Sequence, residues 1–142
     1  MLNQRLEEAD IVSRFCRYQL VVKKNLPIRS SEMGLLIYVS KQTSPITPLE
    51  ISEFFHISKP TVTEMISRLI NSNYLGKIPS PEDRRSYTLV ITEQGQALVE
   101  TALNDYLKSM ELLKIGLGDD EYGVLMSILQ KANKIFEKEM EK

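Results

Sequence analysis

Two helix starts of the same kind lie eleven residues apart in the middle of the chain, and they confine the residues between them to one short helix and a turn. The first, Thr47-Pro48-Leu49-Glu50, is a capping box with proline at the first helical position, where its missing N–H would have had no partner. In the second, Ser58-Lys59-Pro60-Thr61, the Ser58 hydroxyl is placed to accept from backbone N–H groups near Thr61, and Pro60 falls in the first turn, where a lost donor costs little. Close packing of two such helices needs a small residue on the first, and Ser52 supplies it. The turn calls for a residue that tolerates positive φ; His56 stands there, and His is among the non-glycine residues enriched in that region.

The helix from Ser58 carries Val62, Ile66, Leu69 and Ile70 on one stripe and Thr61, Glu64, Ser67, Arg68 and Asn71 opposite, with Asn73 suited to the left-handed position that closes it. Strand-like residues from Tyr74 to Ile78 and from Ser86 to Ile91 flank the loop Pro79-Ser80-Pro81-Glu82-Asp83-Arg84-Arg85, a hairpin with a charged tip. Two short helices, a tight turn and a hairpin describe a winged helix-turn-helix, whose second helix enters the DNA major groove.

Long helices are expected on both sides. Residues 3–24 place Leu6, Ala9, Val12, Phe15, Cys16 and Leu20 on one helical stripe that Pro27 ends. Ser30 or Ser31 can cap a second helix whose run Met33, Leu35, Leu36, Ile37 and Val39 implies burial on nearly all sides, and Gly34 within it suggests close packing. Thr92-Glu93-Gln94-Gly95 opens a long helix with Leu98, Ala102, Leu103, Tyr106, Met110 and Leu113, broken by Gly116 and Gly118 before a last helix with Tyr122, Leu125, Leu129, Ala132 and Phe136. The expected fold is mainly α with a small β-hairpin wing.

Composition narrows the function classes. The chain has 142 residues, 42% of them apolar and 26% charged, which suits one soluble domain that needs no disulfide or metal staple. Its one cysteine forms no internal bridge, and its longest apolar runs stop short of a membrane span, so a cytoplasmic location without membrane partners is expected. The net charge of −1 conceals a segregation: five bases face three acids in residues 56–90, whereas six face ten in residues 91–142. A basic middle beside an acidic tail suits one face turned to a polyanion. There is no glycine-rich phosphate loop, nucleophile elbow, CxxC or HExxH pair, so neither an enzyme nor a cofactor is expected. His56 alone makes no metal site, and Asp119-Asp120-Glu121 read as residues favouring the positive end of the last helix.

The run Ile57-Ser58-Lys59-Pro60-Thr61-Val62-Thr63 with Arg68-Leu69, and the run from Asp83 to Gly95 with its D-x-R wing signature and its Thr-x-x-Gly entry into the next helix, resemble the MarR family of bacterial regulators. Asn73 and Ile91 replace that family's usual Gly and Leu. The resemblance covers nearly the whole chain and implies a homodimeric regulator of transcription, chiefly a repressor, binding a palindromic operator on double-stranded DNA. Residues 1–30 and 93–142 would form a helical dimerisation region, and residues 31–92 the DNA-binding region.

Arg85 at the hairpin tip would enter the minor groove, where the negative potential is strongest, with Asp83 fixing its guanidinium and Arg84 on phosphate. Thr61, Thr63, Ser67 and Arg68 would reach base edges or phosphates, the amides from Ser58 to Thr61 favour phosphate, and Lys59 and Lys77 add nonspecific charge. The alternative for each is an ordinary solvated polar residue. One branch of the family senses hydroperoxides through a lone cysteine on the first helix; Cys16 is either such a sensor or a small buried apolar residue, and its helical neighbours Val12, Ser13, Gln19 and Leu20 bring no positive charge to activate it. Tyr18, Met33 and Tyr38 either line the small-molecule effector cavity that the resemblance implies or pack as core. A winged helix used for protein contact without specific DNA binding is the rival function.

Overall fold

A computed structural model describes the backbone of residues 1–22 and 26–141, and the side chains of these residues except 20–22. The helices are α1 (Leu2–Val22), α2 (Ser30–Ser40), α3 (Pro48–Phe55), α4 (Lys59–Asn71), α5 (Glu93–Leu117) and α6 (Asp119–Met140), with strands β1 (Leu75–Pro79) and β2 (Tyr87–Ile91) between α4 and α5. Lys23 and Lys24, expected to end the first helix, lie outside the described residues. The chain divides into two compact units, residues 26–102 and residues 1–25 with 103–142. The first ten residues of α5 fall in the former, because Val99 belongs to its core.

In the 26–102 unit the apolar faces of α2, α3, α4 and both strands close on one core that contains Leu35, Leu36, Ile51, Val62, Met65, Ile66, Leu69 and Leu89. Met65 joins the stripe expected of α4, and Ile70 is half-buried at its border. Two expectations for α2 need correction. Ser30 is its first helical residue, so neither Ser30 nor Ser31 caps it; extended Arg29 precedes it without a side-chain cap. Gly34 is not under close approach, since a Cβ there would stand an ordinary 3.9 Å from the Phe55 ring.

The strands pair antiparallel from Leu75 opposite Ile91 to Pro79 opposite Tyr87. Tyr74 and Ser86, expected within strands, fall one position outside them: their carbonyls accept across the hairpin from the Thr92 and Ser80 N–H groups, but the Tyr74 N–H donates to the Leu69 carbonyl and the Ser86 N–H to that of Asp83. A partner not foreseen is Ile46, which bridges Leu89 on the far edge of β2 through a 2.7 Å and a 3.3 Å backbone bond.

In the other unit α5 runs through Gly116 and breaks only at Gly118, whose φ of 83° glycine adopts without steric cost. The Tyr122 hydroxyl reaches Met110 Sδ at 3.4 Å, tying α6 to α5. Much apolar surface stays uncovered. Leu6 and Val12 of α1, expected on a buried stripe, are more than half exposed, as are Val124, Ile128, Ile135 and Phe136 of α6, a helix with no buried residue.

Candidate nucleic-acid interface

Local bonds set the geometry of the two-helix motif. Thr47 accepts from the Glu50 N–H at 3.2 Å while the Glu50 carboxylate accepts from the Thr47 N–H at 3.0 Å, so the expected capping box starts α3. His56 ends α3 in the left-handed region, with φ 54° and ψ 44°. Ser52 does more than stay small: its hydroxyl donates to the Ile57 carbonyl at 2.6 Å, so the first helix holds the turn that leads into the second.

Ser58 caps α4, accepting from the Thr61 N–H at 3.4 Å and donating to Thr61 Oγ1 at 2.9 Å. Thr63 donates its hydroxyl to the Lys59 carbonyl at 2.9 Å. Lys59, Thr61, Thr63 and Ser67 are exposed. Arg68 differs: its Nε meets Oε2 of Glu32 at 3.2 Å, and the Glu32 side chain is 5% exposed. Arg29 stands 3.9 Å from the other carboxylate oxygen. The Arg68 guanidinium is therefore anchored inward on α2 by an acid missed in reading the sequence. A charge directly before a run expected to be buried on nearly all sides was the available signal for it.

At the wing, Asp83 takes a role other than the expected one. Its Oδ1 accepts from the backbone N–H of Arg85 at 2.9 Å and its Oδ2 from the Ser86 hydroxyl at 3.3 Å, and among the described residues it forms no ion pair with the Arg85 guanidinium. The carboxylate shapes the turn, and the turn presents the arginine. Ser80 supports the same loop from the other side, accepting from the N–H groups of Glu82 and Asp83. Arg84 and Arg85 are exposed. Lys77 lies 4.1 Å from the centre of the Tyr87 ring, a cation–π contact that steadies it on the hairpin.

These elements meet around a concave groove of about 470 Å³ that gathers Lys59 and Thr63 of α4, Arg85, Ser86 and Tyr87 of the wing, and Thr47, Pro48 and Leu49 at the start of α3. Arg68 lines a different groove, with Arg29, Glu32 and Asn71.

The four effector and redox candidates separate by unit. Met33 is buried in the 26–102 unit, where Tyr38 stacks on Phe54 at 4.2 Å and meets the edge of Phe55 at 5.6 Å. Tyr18, in the other unit, is exposed and lines an apolar cavity with Phe15. Cys16 is exposed, which corrects the reading of it as a buried apolar residue, and Arg17 beside it donates to the Ser13 hydroxyl.

The model of the MarR family matches residues 30–87, which hold α2, α3, α4, β1, the wing loop and the start of β2. Over 94 residues, 66% of this chain, the sequence is 31% identical to the HTH-type transcriptional regulator BilQ of Clostridioides difficile, and the match spans 63% of BilQ. Residues 30–87 are thus a MarR family domain. Two solved MarR-like structures share its fold. Streptococcus pneumoniae FabT, in complex with DNA, superposes with a TM-score of 0.79 at 23% identity over 95% of this chain and 97% of its own. A Staphylococcus aureus MarR in complex with salicylate and kanamycin gives 0.77 at 23% identity over 98% and 95%.

Proposed function

We propose that this chain, with its MarR family domain, is a transcriptional regulator that binds a palindromic operator as a homodimer, acts as a repressor, and is released by a small-molecule or oxidant effector. The observation that carries the reading is the groove in which a wing arginine, Arg85, converges with a lysine and a hydroxyl of the recognition helix, Lys59 and Thr63. An arginine at a hairpin tip suits the narrow minor groove, and an exposed, capped α4 with Lys59, Thr61, Thr63 and Ser67 suits phosphates and base edges in the adjoining major groove. Arg84 and Lys77 add backbone charge, and Arg68, held by Glu32, contributes through its remaining N–H groups.

One winged helix buries only about 600–1,000 Å², so a two-fold pair reading two half-sites is the efficient arrangement. The exposed apolar residues of α1, α5 and α6 give such a pair a surface to join on. Repression asks only that the dimer occupy DNA another protein needs. Cytoplasmic location belongs to the same proposal; among the described residues no helix is long and apolar enough to cross a membrane. A catalytic role has no motif behind it.

Selection of bound sequences from a random duplex pool tests the proposal. A palindrome with half-sites about one helical turn apart is the expected result. Failure to enrich any sequence, with no salt-dependent binding, would favour a protein-interaction module instead.

A further inference from the structure

We propose that the Tyr87 hydroxyl donates to a phosphate of the DNA strand that runs between the wing and α4. This contact deepens the DNA-binding reading and rests on it.

In a duplex, one strand divides each major groove from the adjoining minor groove. With α4 in the former and the wing tip in the latter, that strand has to pass between them. The cleft of about 470 Å³ lies on this path, bordered by Lys59 and Thr63 of α4 and by Arg85, Ser86 and Tyr87 of the wing. Its walls therefore meet sugar and phosphate more than base edges. No acidic side chain lines it among the described residues, and Lys59 and Arg85 supply the charge that draws a phosphate in.

Alternation along β2 fixes how Tyr87 stands. It lies two residues before Leu89, so the two side chains leave the same face of the hairpin, and Leu89 is wholly buried. Tyr87 continues that face toward the tip, half-buried, with its ring packed against the edge of the core. Lys77 sits opposite Leu89 on β1, shares the face, and holds its ammonium 4.1 Å from the ring centre. A ring braced by core and cation has little freedom left to lose when its hydroxyl takes a partner.

Four hydroxyls border the cleft, and three of them are already bonded. Thr47 accepts from the Glu50 N–H, Thr63 donates to the Lys59 carbonyl, and Ser86 donates to the Asp83 carboxylate. The hydroxyl of Tyr87 has no hydrogen-bond partner among the described residues. A phenol O–H is a donor, and a phosphate offers only acceptors, each carrying charge that strengthens the bond. Nothing in the local sequence signals this role, because a tyrosine at the start of a strand reads as a packing residue.

The test titrates the parent chain and Tyr87→Phe against the duplex enriched by random-pool selection, at several salt concentrations. The titrations are repeated on copies of that duplex carrying one neutral methylphosphonate at a time. Phenylalanine keeps the ring, its packing and its contact with Lys77, so the denaturation midpoint should not move. Affinity should fall about tenfold, the lower end of what a hydrogen bond to a charged group is worth, and the salt slope should stay as in the parent because no charge is removed. One methylphosphonate in each half-site should close the gap between the two proteins by weakening the parent more than the variant. Undiminished affinity of Tyr87→Phe, or a gap that no methylphosphonate closes, would overturn the contact and leave the regulator reading in place. A parent chain that binds no duplex would overturn both.

Discussion

A Cβ built on Gly95 would run into the carbonyl oxygen of Tyr74 and stand 2.8 Å from a side-chain carbon of Ile91, so the first turn of α5 lies directly on the end of the hairpin. Thr92 secures the same junction: its hydroxyl donates to the Asn73 carbonyl at 2.7 Å and accepts from the Gly95 N–H at 2.9 Å. Gly95→Ala should therefore lower stability by about 1–3 kcal/mol in equilibrium denaturation, the usual cost of overpacking, and an unchanged midpoint would contradict the close approach. Glu32 and Arg68 make a second prediction. Arg68→Leu leaves a buried carboxylate that, among the described residues, keeps only Arg29 at 3.9 Å as an ionic partner, and should cost about 2 kcal/mol, while Glu32→Leu combined with Arg68→Leu should recover most of that loss. Additive effects in the double variant would remove the pair from the account. The capping residues Thr47, Glu50 and Ser58 were legible because their partners lie three residues away; that Glu32 meets Arg68 and Gly95 meets Tyr74 was not, because those partners lie 36 and 21 residues away.

At the scale of elements, the wing is where charge and geometry predict opposite outcomes. Removing an acid from a loop proposed to face DNA should strengthen binding if only net charge matters. Asp83, however, holds the Arg85 N–H and the Ser86 hydroxyl, so Asp83→Ala should release the tip and weaken operator binding severalfold in a fluorescence titration. Tighter binding by this variant would show that the loop needs no such support. Helix and hairpin order could be read from caps, prolines and period, since these signals are local. The edges were less legible. Ser86 looks like a strand residue until its N–H is seen closing a turn on Asp83, and Ile46 gains strand character only because Leu89 offers it both backbone bonds. Gly116 reads as a breaker, yet near a helix end its penalty of about 1 kcal/mol is tolerated and α5 continues through it.

For the whole molecule, surface chemistry carries the account. Ile128, Ile135 and Phe136 project from a helix with no fully buried residue, and an apolar surface of that kind calls for a partner. Sedimentation at micromolar concentration should give the mass of a dimer, and Ile128→Glu with Ile135→Glu should shift it toward the monomer; a monomeric parent chain would contradict the two-fold arrangement. The site residues were legible as a group because the caps that start α4 and the turn residues of the wing precede the charges they present. What stayed hidden was which of them share one surface, since that depends on packing between α3, α4 and the hairpin. The central claim is that Lys59, Thr63 and Arg85, gathered around one groove, address a single stretch of duplex. It is tested most directly by measuring affinity for the selected operator against salt concentration, for the parent chain and for Arg85→Ala. The account predicts a steep linear fall of log affinity with log salt, and a loss of about 1–3 kcal/mol for Arg85→Ala at every salt concentration. Affinity indifferent to both salt and Arg85 would contradict it.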